Sequence, residues 1–346
     1  MLRGMPSLIL SSSDLVSVSL KSERLRIVSL DRHSGENVSR DVPMFDLDRV
    51  VLLGTPPVTT PVFAALLDRG IPCFFATARN RWRGSLLPDR NRNAARRVRQ
   101  YEQGTDPAFG LRVARRLVFA KIRNSRRVLQ RLAANRGRTD DPDHRNTMVA
   151  LASYMGEAMR APSVDVVRGV EGIAAAIYFR DLGLSFPEEL PFKTRSRRPP
   201  RDPANALLSF GYTMLLGEME CAIRTHGLDA AIGHLHEDTA NSPSLALDLM
   251  EPLRAPVVDL LVLNIVNHTM VKAGEHFEVS AEDGGTYLNE EGRRSFFMMY
   301  ENAMERRFSV AKGAPQTTLR RVLDSQIATY LKMLEQDKDE DFFFLP

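Results

Sequence analysis

His236, Asp248 and Glu251 are the residues whose types and spacing first point to chemistry. All three fall in one stretch, GHLHEDTANSPSLALDLMEP, from Gly233 to Pro252. The histidine stands twelve residues ahead of Asp248, and the two acids are at i,i+3. Residues so spaced share a helix face, so the two carboxylates project together. Ser242-Pro243 reads as a helix N-cap followed by proline at the first helical position. Pro252 has no N–H, so within a helix it leaves the Asp248 carbonyl without its usual donor and bends the helix at the acidic pair. Imidazole with carboxylates is a ligand set for a hard-to-borderline divalent ion such as Mg²⁺ or Mn²⁺. Spacing alone leaves two alternatives open. The acids can be solvated on a surface helix, and His234 in the same stretch can take the place of His236.

Glu171 is a further candidate. It interrupts VEGIAAAIYF (Val170 to Phe179), an otherwise apolar helix, and a buried carboxylate without a partner costs several kcal/mol. It needs either a basic residue or a metal beside it. The metal reading joins Glu171 to His236 and Glu251 around one ion, with Asp248 alongside as ligand, orienting neighbour or proton acceptor. Gly169 and Gly172, which bracket Glu171, read as helix-packing glycines. Other chemistries lack their residues: there is no strand-borne G-x-G-x-x-G, no G-x-x-x-x-G-K-[ST] and no Ser-His-Asp or Cys-His arrangement. Zinc prefers more Cys and His than this set offers. Cys73 and Cys221 sit in apolar surroundings with no metal spacing, and read as buried packing residues of a reducing compartment.

The chain of 346 residues is long enough for two domains, and its 43% hydrophobic and 26% charged residues are those of an ordinary soluble protein. No run of about 18 apolar residues is present, and the N-terminal apolar run is too short for a signal peptide. The expectation is a cytoplasmic protein without a membrane span. Net charge is only +4, but its distribution is lopsided. Between Arg79 and Arg138 there are 18 Lys and Arg against three acids, Asp89, Glu102 and Asp106. Lys193 to Arg201 adds five bases and no acid, whereas Glu335, Asp337, Asp339, Glu340 and Asp341 make an acidic tail. Such segregation points to a polyanion-binding surface. The candidate DNA contacts are Lys121, Arg123, Arg127, Arg195, Arg197 and Arg198.

The elements that must position these groups change in texture along the chain. Residues 7 to about 55 read as β: Val16, Val18 and Leu20 alternate with serines, and Val50 to Leu53 is a short buried run. Thr60-Pro61 opens a short helix closed by Gly70, and Ile71 to Ala76 and Trp82 to Leu86 read as further strands. After the joint PDRNRN the signal is helical, with Ala114, Leu117, Val118, Ile122, Val128, Leu129 and Leu132 at three- and four-residue steps. A long proline-rich loop, DLGLSFPEELPFKTRSRRPPRDP, precedes a helix to Thr225. The stretch around Asp248 is expected to continue as one helix to about Val271, and a last helix covers about Thr318 to Gln336. The fold class is α+β: a small N-terminal β-rich domain (1–88), a linker (89–94) and a larger all-α-helical domain (95–346).

Several blocks together resemble one known family. GVEGIAAAIYF (Gly169 to Phe179), RRPPRDPANALLSFGYTMLLGEME (Arg197 to Glu220) and GHLHEDTANSPSLALDLMEPLRAPVVDLLVL (Gly233 to Leu263) are similar to CRISPR-associated protein 1, the integrase that inserts spacers into CRISPR arrays. Weaker similarity runs through VVLLGTPPVTTPVFAALLDRGIPCFF and LRVARRLVFAKIRNSRRVL. The resemblance implies that Glu171, His236 and Glu251 hold the Mg²⁺ or Mn²⁺, with Asp248 beside them, and it selects His236 over His234. Glu251 stands where some members have aspartate. It also implies attack of spacer 3′-hydroxyls on repeat phosphodiesters, double-stranded DNA as partner, and a homodimer with contacts through the β domain. CRISPR-associated protein 2, and in some systems a spacer-processing nuclease, complete the expected partners. Two rival readings remain at this point: a metal-dependent nuclease acting on branched or double-stranded DNA, and a non-catalytic DNA-binding scaffold.

Overall fold

A computed structural model of the protein describes all residues except 1–6, 13–14, 32–33, 78–81, 89–93, 197, 237–241 and 312. Most of the expected linker and Arg197 therefore lie outside the described residues. The chain divides into two compact units, Met1–Arg97 with Cys221–Leu228, and Val98–Glu220 with Asp229–Pro346.

The first unit is built on two sheets. Strands β1 (Ser7–Ser11), β5 (Arg49–Leu53), β6 (Cys73–Ala76) and β7 (Trp82–Leu86) lie side by side in that order. β5 runs parallel to both β1 and β6, which suits its unbroken apolar run, because parallel strands are covered on both faces. Helix α1 (Thr60–Asp68) makes the crossover from β5 to β6, and Gly70 at φ +76° turns the chain back into the sheet. Strands β2 (Leu15–Lys21), β3 (Arg24–Leu30) and β4 (Asn37–Pro43) form an antiparallel sheet with β3 central. Of the alternating residues on β2 only Val18 is buried, while Val16 and Leu20 are exposed. Val18 docks on the loop before α1, donating to the Pro57 carbonyl at 2.9 Å and accepting from Thr59 N–H at 3.0 Å. Cys73 is buried and free, and burial pushes its thiol up to about 12. Cys221 is likewise buried.

The second unit is helical. Helix α2 (Ala94–Gly104) precedes α3 (Pro107–Asn135), which Asp106 caps by accepting from Ala108 N–H at 2.9 Å. α4 (Pro142–Arg160) and α5 (Val164–Gly183) pack with α3 into a three-helix layer, and α3 buries Val113, Leu117, Ile122, Val128 and Leu129. Helix α6 (Pro203–Thr225) is long and apolar enough to cross a membrane by length and composition, but most of it is buried within the protein.

The expected long helix after Pro243 is four consecutive windings. Helix α7 (Ser244–Met250) gives way to a 3₁₀ turn at Glu251–Leu253, a π-helical segment at Arg254–Asp259, and then α8 (Leu260–Asn267). Proline explains the interruption. Pro252 cannot donate to Asp248, so Glu251 N–H closes on that carbonyl one residue earlier. Ser242 makes no cap: α7 starts after Pro243 with no side-chain hydrogen bond at its N-terminus. Beyond α8 come α9 (Ala273–His276), the hairpin β8 (Phe277–Val279) and β9 (Thr286–Leu288), α10 (Glu290–Glu305), the hairpin β10 (Arg307–Ser309) and β11 (Gln316–Thr318), and α11 (Leu319–Gln336). The helical part thus carries two short hairpins.

Candidate active site

Asp248 builds the turn that carries His236. Its carboxylate is fully buried, with Oδ2 accepting the N–H of His234 at 2.6 Å and of Leu235 at 2.9 Å, and Oδ1 that of His236 at 2.9 Å. Three successive amides around one anion make a rigid, charge-assisted turn. The same Oδ1 lies 2.7 Å from His236 Nδ1. In the neutral imidazole this assigns the proton to Nδ1 and leaves the Nε2 lone pair directed outward, 3.7 Å from Glu251 Oε1. Gly233 lets the turn close: a Cβ there would stand 2.6 Å from Ser244 Cβ and 2.8 Å from its carbonyl carbon. Arg168, one turn before Glu171 on α5, donates from Nε to the Leu235 carbonyl at 2.7 Å and so ties the turn to the helix bearing Glu171. His234 points elsewhere, its Nε2 2.9 Å from the Tyr330 hydroxyl and its ring edge-on to Phe109.

Glu251 stands on the 3₁₀ turn, only 3% exposed. Arg254 lies 3.0 Å from its Oε1, and Lys121 Nζ from α3 lies 2.6 Å from its Oε2. The same ammonium pairs with Glu171. Burial alone would raise the Glu251 carboxyl, but Arg254, Lys121 and His236 outweigh it and hold it at about 2. Glu171, His236 and Glu251 are thereby brought to one place. Among the described residues no three His, Cys, Asp or Glu groups close into a ready ligand cage. The arrangement nevertheless fits a cation. An ammonium already sits between two carboxylates, Lys121 meeting both Glu171 and the buried Oε2 of Glu251. The groups able to hold a divalent ion are Glu171, Glu251 and Nε2 of His236.

The π segment ends at Asp259, whose carboxylate accepts from the buried hydroxyls of Tyr178 on α5, at 2.7 Å, and Tyr212 on α6. Burial raises Asp259 to about 6 against the opposing pull of both hydroxyls, Arg195 and Arg254. The Arg254 guanidinium stacks 4.9 Å from the Tyr212 ring centroid, so this cluster supports the arginine that holds Glu251.

The candidate DNA contacts are dispersed. Lys121 belongs to the acidic site. Arg123 stacks 3.6 Å from the Phe344 ring centroid, and Arg127 donates to the Pro346 backbone oxygen at 3.0 Å. Arg195 bonds Asn205 Oδ1 at 2.7 Å and Ser209 Oγ at 3.0 Å, while Arg198 is exposed. Gly169 and Gly172 do not act as helix-packing glycines among the described residues, where a Cβ at either would meet nothing within 4 Å. Arg168, Arg254 and the place of Lys121 in the site were missed by sequence reasoning. Only Arg254 carried a readable signal, its i,i+3 spacing from Glu251.

The model of the family "CRISPR associated protein Cas1" matches residues 10–302. The chain is 33% identical over 307 residues to CRISPR-associated endonuclease Cas1 3 of Thermus thermophilus, covering 89% of this chain and 88% of that protein. It is 35% identical over 292 residues to a CRISPR-associated exonuclease Cas4/endonuclease Cas1 fusion of Geobacter sulfurreducens, covering 81% of this chain and 51% of the fusion. A solved structure of a Cas1 protein from Thermotoga maritima superposes with a TM-score of 0.75 at 25% identity, covering 98% of this chain and 99% of that one. Two units of this architecture, Glu171 on α5 and His236 on its turn gathered beside the acids of the interrupted helix, and a match across most of the length lead to one assignment: the chain belongs to the CRISPR-associated protein Cas1 family.

Proposed function

We propose that this chain is a metal-dependent DNA endonuclease and integrase of CRISPR adaptation, joining spacer 3′-hydroxyls to phosphodiesters of the repeat. The observation that carries the reading is His236, with Nδ1 on buried Asp248 and Nε2 turned toward Glu251. A carboxylate that fixes the tautomer of an imidazole whose other nitrogen faces further acids is the usual support of a metal-binding histidine. In this reading Glu171, Glu251 and His236 Nε2 hold Mg²⁺ or Mn²⁺. When bound, the ion would polarise phosphoryl oxygens and ease loss of the attacking hydroxyl's proton.

The protein's own groups do the rest. Asp248 spends both oxygens on the turn and on Nδ1, so it orients and does not ligate. His236 cannot relay a proton through a nitrogen that holds metal. Arg254 keeps Glu251 ionised inside the protein. The partners in this reading are double-stranded DNA, a second copy of the chain and CRISPR-associated protein 2. A spacer-processing nuclease also fits, since one relative carries an exonuclease fused to the homologous chain. The reading places the protein in the cytoplasm.

A labelled short duplex with free 3′-hydroxyls, incubated with Mn²⁺ or Mg²⁺ and a supercoiled plasmid carrying leader and repeat, tests this. Strand transfer is expected from the unaltered protein, and loss of at least a hundredfold from H236A or E171A with an unchanged circular dichroism spectrum. Normal transfer by either variant overturns the site. The name endonuclease borne by a relative favours a second reading, cleavage of branched or double-stranded DNA by the same site. Cleavage of branched duplexes without joined product would favour it.

A further inference from the structure

Two buried amide side chains tie the chain's last segment to the backbone that presents Glu251. Asn124 on α3 is fully buried and donates from Nδ2 to the Pro252 carbonyl at 2.6 Å and to the Phe343 carbonyl at 2.9 Å, while its Oδ1 accepts from Leu345 N–H at 2.7 Å. Gln326 on α11, also fully buried, donates to the Leu249 carbonyl at 3.3 Å and accepts from Phe343 N–H at 2.7 Å. Phe342 is 1% exposed, so this segment enters the core.

One of the carbonyls held, that of Pro252, is one the interrupted helix cannot serve in the ordinary way. Pro256, four residues after Pro252, has no N–H to offer its carbonyl. Leu249 precedes Glu251 by two residues and Pro252 follows it by one, so the two amides grip both sides of the turn. Neither amide can be satisfied without the backbone of Phe343 and Leu345, which occupies its other hand. The turn, the two amides and the tail segment thus form one hydrogen-bonded unit, and a fully satisfied buried network of this kind fixes a single geometry.

We propose that Asn124 and Gln326 are positioning residues for Glu251, and that seating of Phe343–Leu345 sets the affinity of the site for its divalent ion. This rests on the reading of Glu171, His236 and Glu251 as metal ligands. Loss of supports that orient a metal ligand lowers affinity by roughly ten- to a hundredfold.

The test is Mn²⁺ titration of the full-length protein, without DNA, followed by electron paramagnetic resonance. N124A, Q326A and Phe343→Pro, which deletes the N–H that Gln326 accepts, are expected to raise the Mn²⁺ dissociation constant about tenfold. L117A, which truncates a buried α3 side chain that makes no hydrogen bond in the network, serves as the destabilised control and should leave the constant within about twofold. Variants that melt lower but bind Mn²⁺ as tightly as L117A overturn the proposal. Should N124A not fold, Q326A, which loses the bond to the Leu249 carbonyl and the bond from Phe343 N–H, decides the question. Absence of Mn²⁺ binding by the unaltered protein is a different result: it removes the metal reading itself, and this proposal with it.

Discussion

At the scale of single residues, the site depends on one buried carboxylate doing two things. Asp248 neutralises three converging amides and holds Nδ1–H of His236. D248N keeps the shape but replaces one acceptor oxygen by a donor facing N–H groups. It is expected to lower the melting temperature, each unserved amide costing about 1–3 kcal/mol, and to weaken Mn²⁺ binding about tenfold or more. A melting curve and an Mn²⁺ titration check the two effects separately. Gly233→Ala acts on the same turn by sterics, and its Cβ has no room against Ser244. Glu171, His236 and Glu251 were readable as a group, because an acid in an apolar helix and a histidine ahead of an acidic pair are anomalies of residue type. Lys121 was not. It sits in a helix crowded with bases, and what distinguishes it is contact with Glu171 and Glu251, fifty and more residues away.

At the scale of elements, the interruption at Glu251 was legible as a proline effect, but its form was not. A bend was expected, whereas the backbone tightens to 3₁₀ and then widens to π, which delivers Asp259 to Tyr178 and Tyr212. Nothing local to those residues encodes the outcome, because the two hydroxyls come from α5 and α6. Asp259 and Glu251 oppose each other in pH dependence. Asp259 is raised from 3.8 to about 6, so the folded state holds an extra proton in that window, and stability from this group falls as pH rises through it. Glu251 is lowered from 4.5 to about 2, so its contribution is present above the unfolded value and is lost as pH falls toward 2. D259N, which can accept from one tyrosine and donate to the other, should flatten the stability profile between about pH 4 and 6, the window bounded by its two values. Urea unfolding at a series of pH values reads this directly, and an unchanged slope would show that Asp259 is not the titrating group.

At the scale of the whole molecule, the basic band and the acidic tail turn out to be partners. Arg112 pairs with Asp337, Arg116 reaches Asp339 at 2.6 Å and Asp341 at 3.1 Å, and Arg131 joins Arg127 on the Pro346 backbone oxygen. The two charge blocks were visible in the sequence, but not that one lies on the other, because their pairing spans more than two hundred residues. Charge reversal at Arg123 and Arg127 is expected to weaken duplex binding, and by the contacts with Phe344 and Pro346 it will also loosen the tail. The three aspartates are exposed, whereas Phe342 is in the core. Asn at Asp337, Asp339 and Asp341 together should therefore unmask Arg112 and Arg116 without unseating the ring. Duplex binding is expected to tighten severalfold at low salt, and R112A/R116A should then matter in that background more than in the unaltered protein.

On the proposed reading as a DNA-binding protein, the same contact changes how many small ions a duplex sets free. An arginine facing solvent displaces a condensed cation from DNA for each phosphate it neutralises, and that release gives binding its salt dependence. Arg112 and Arg116 have already been neutralised from within, so DNA arriving there must first free the aspartates, which then gather ions of their own. The slope of log affinity against log salt should accordingly be shallower than the arginine-rich sequence of α3 implies, and it should steepen by about one to two in the triple-Asn protein. The tail thus acts as a counterion that the chain carries with it.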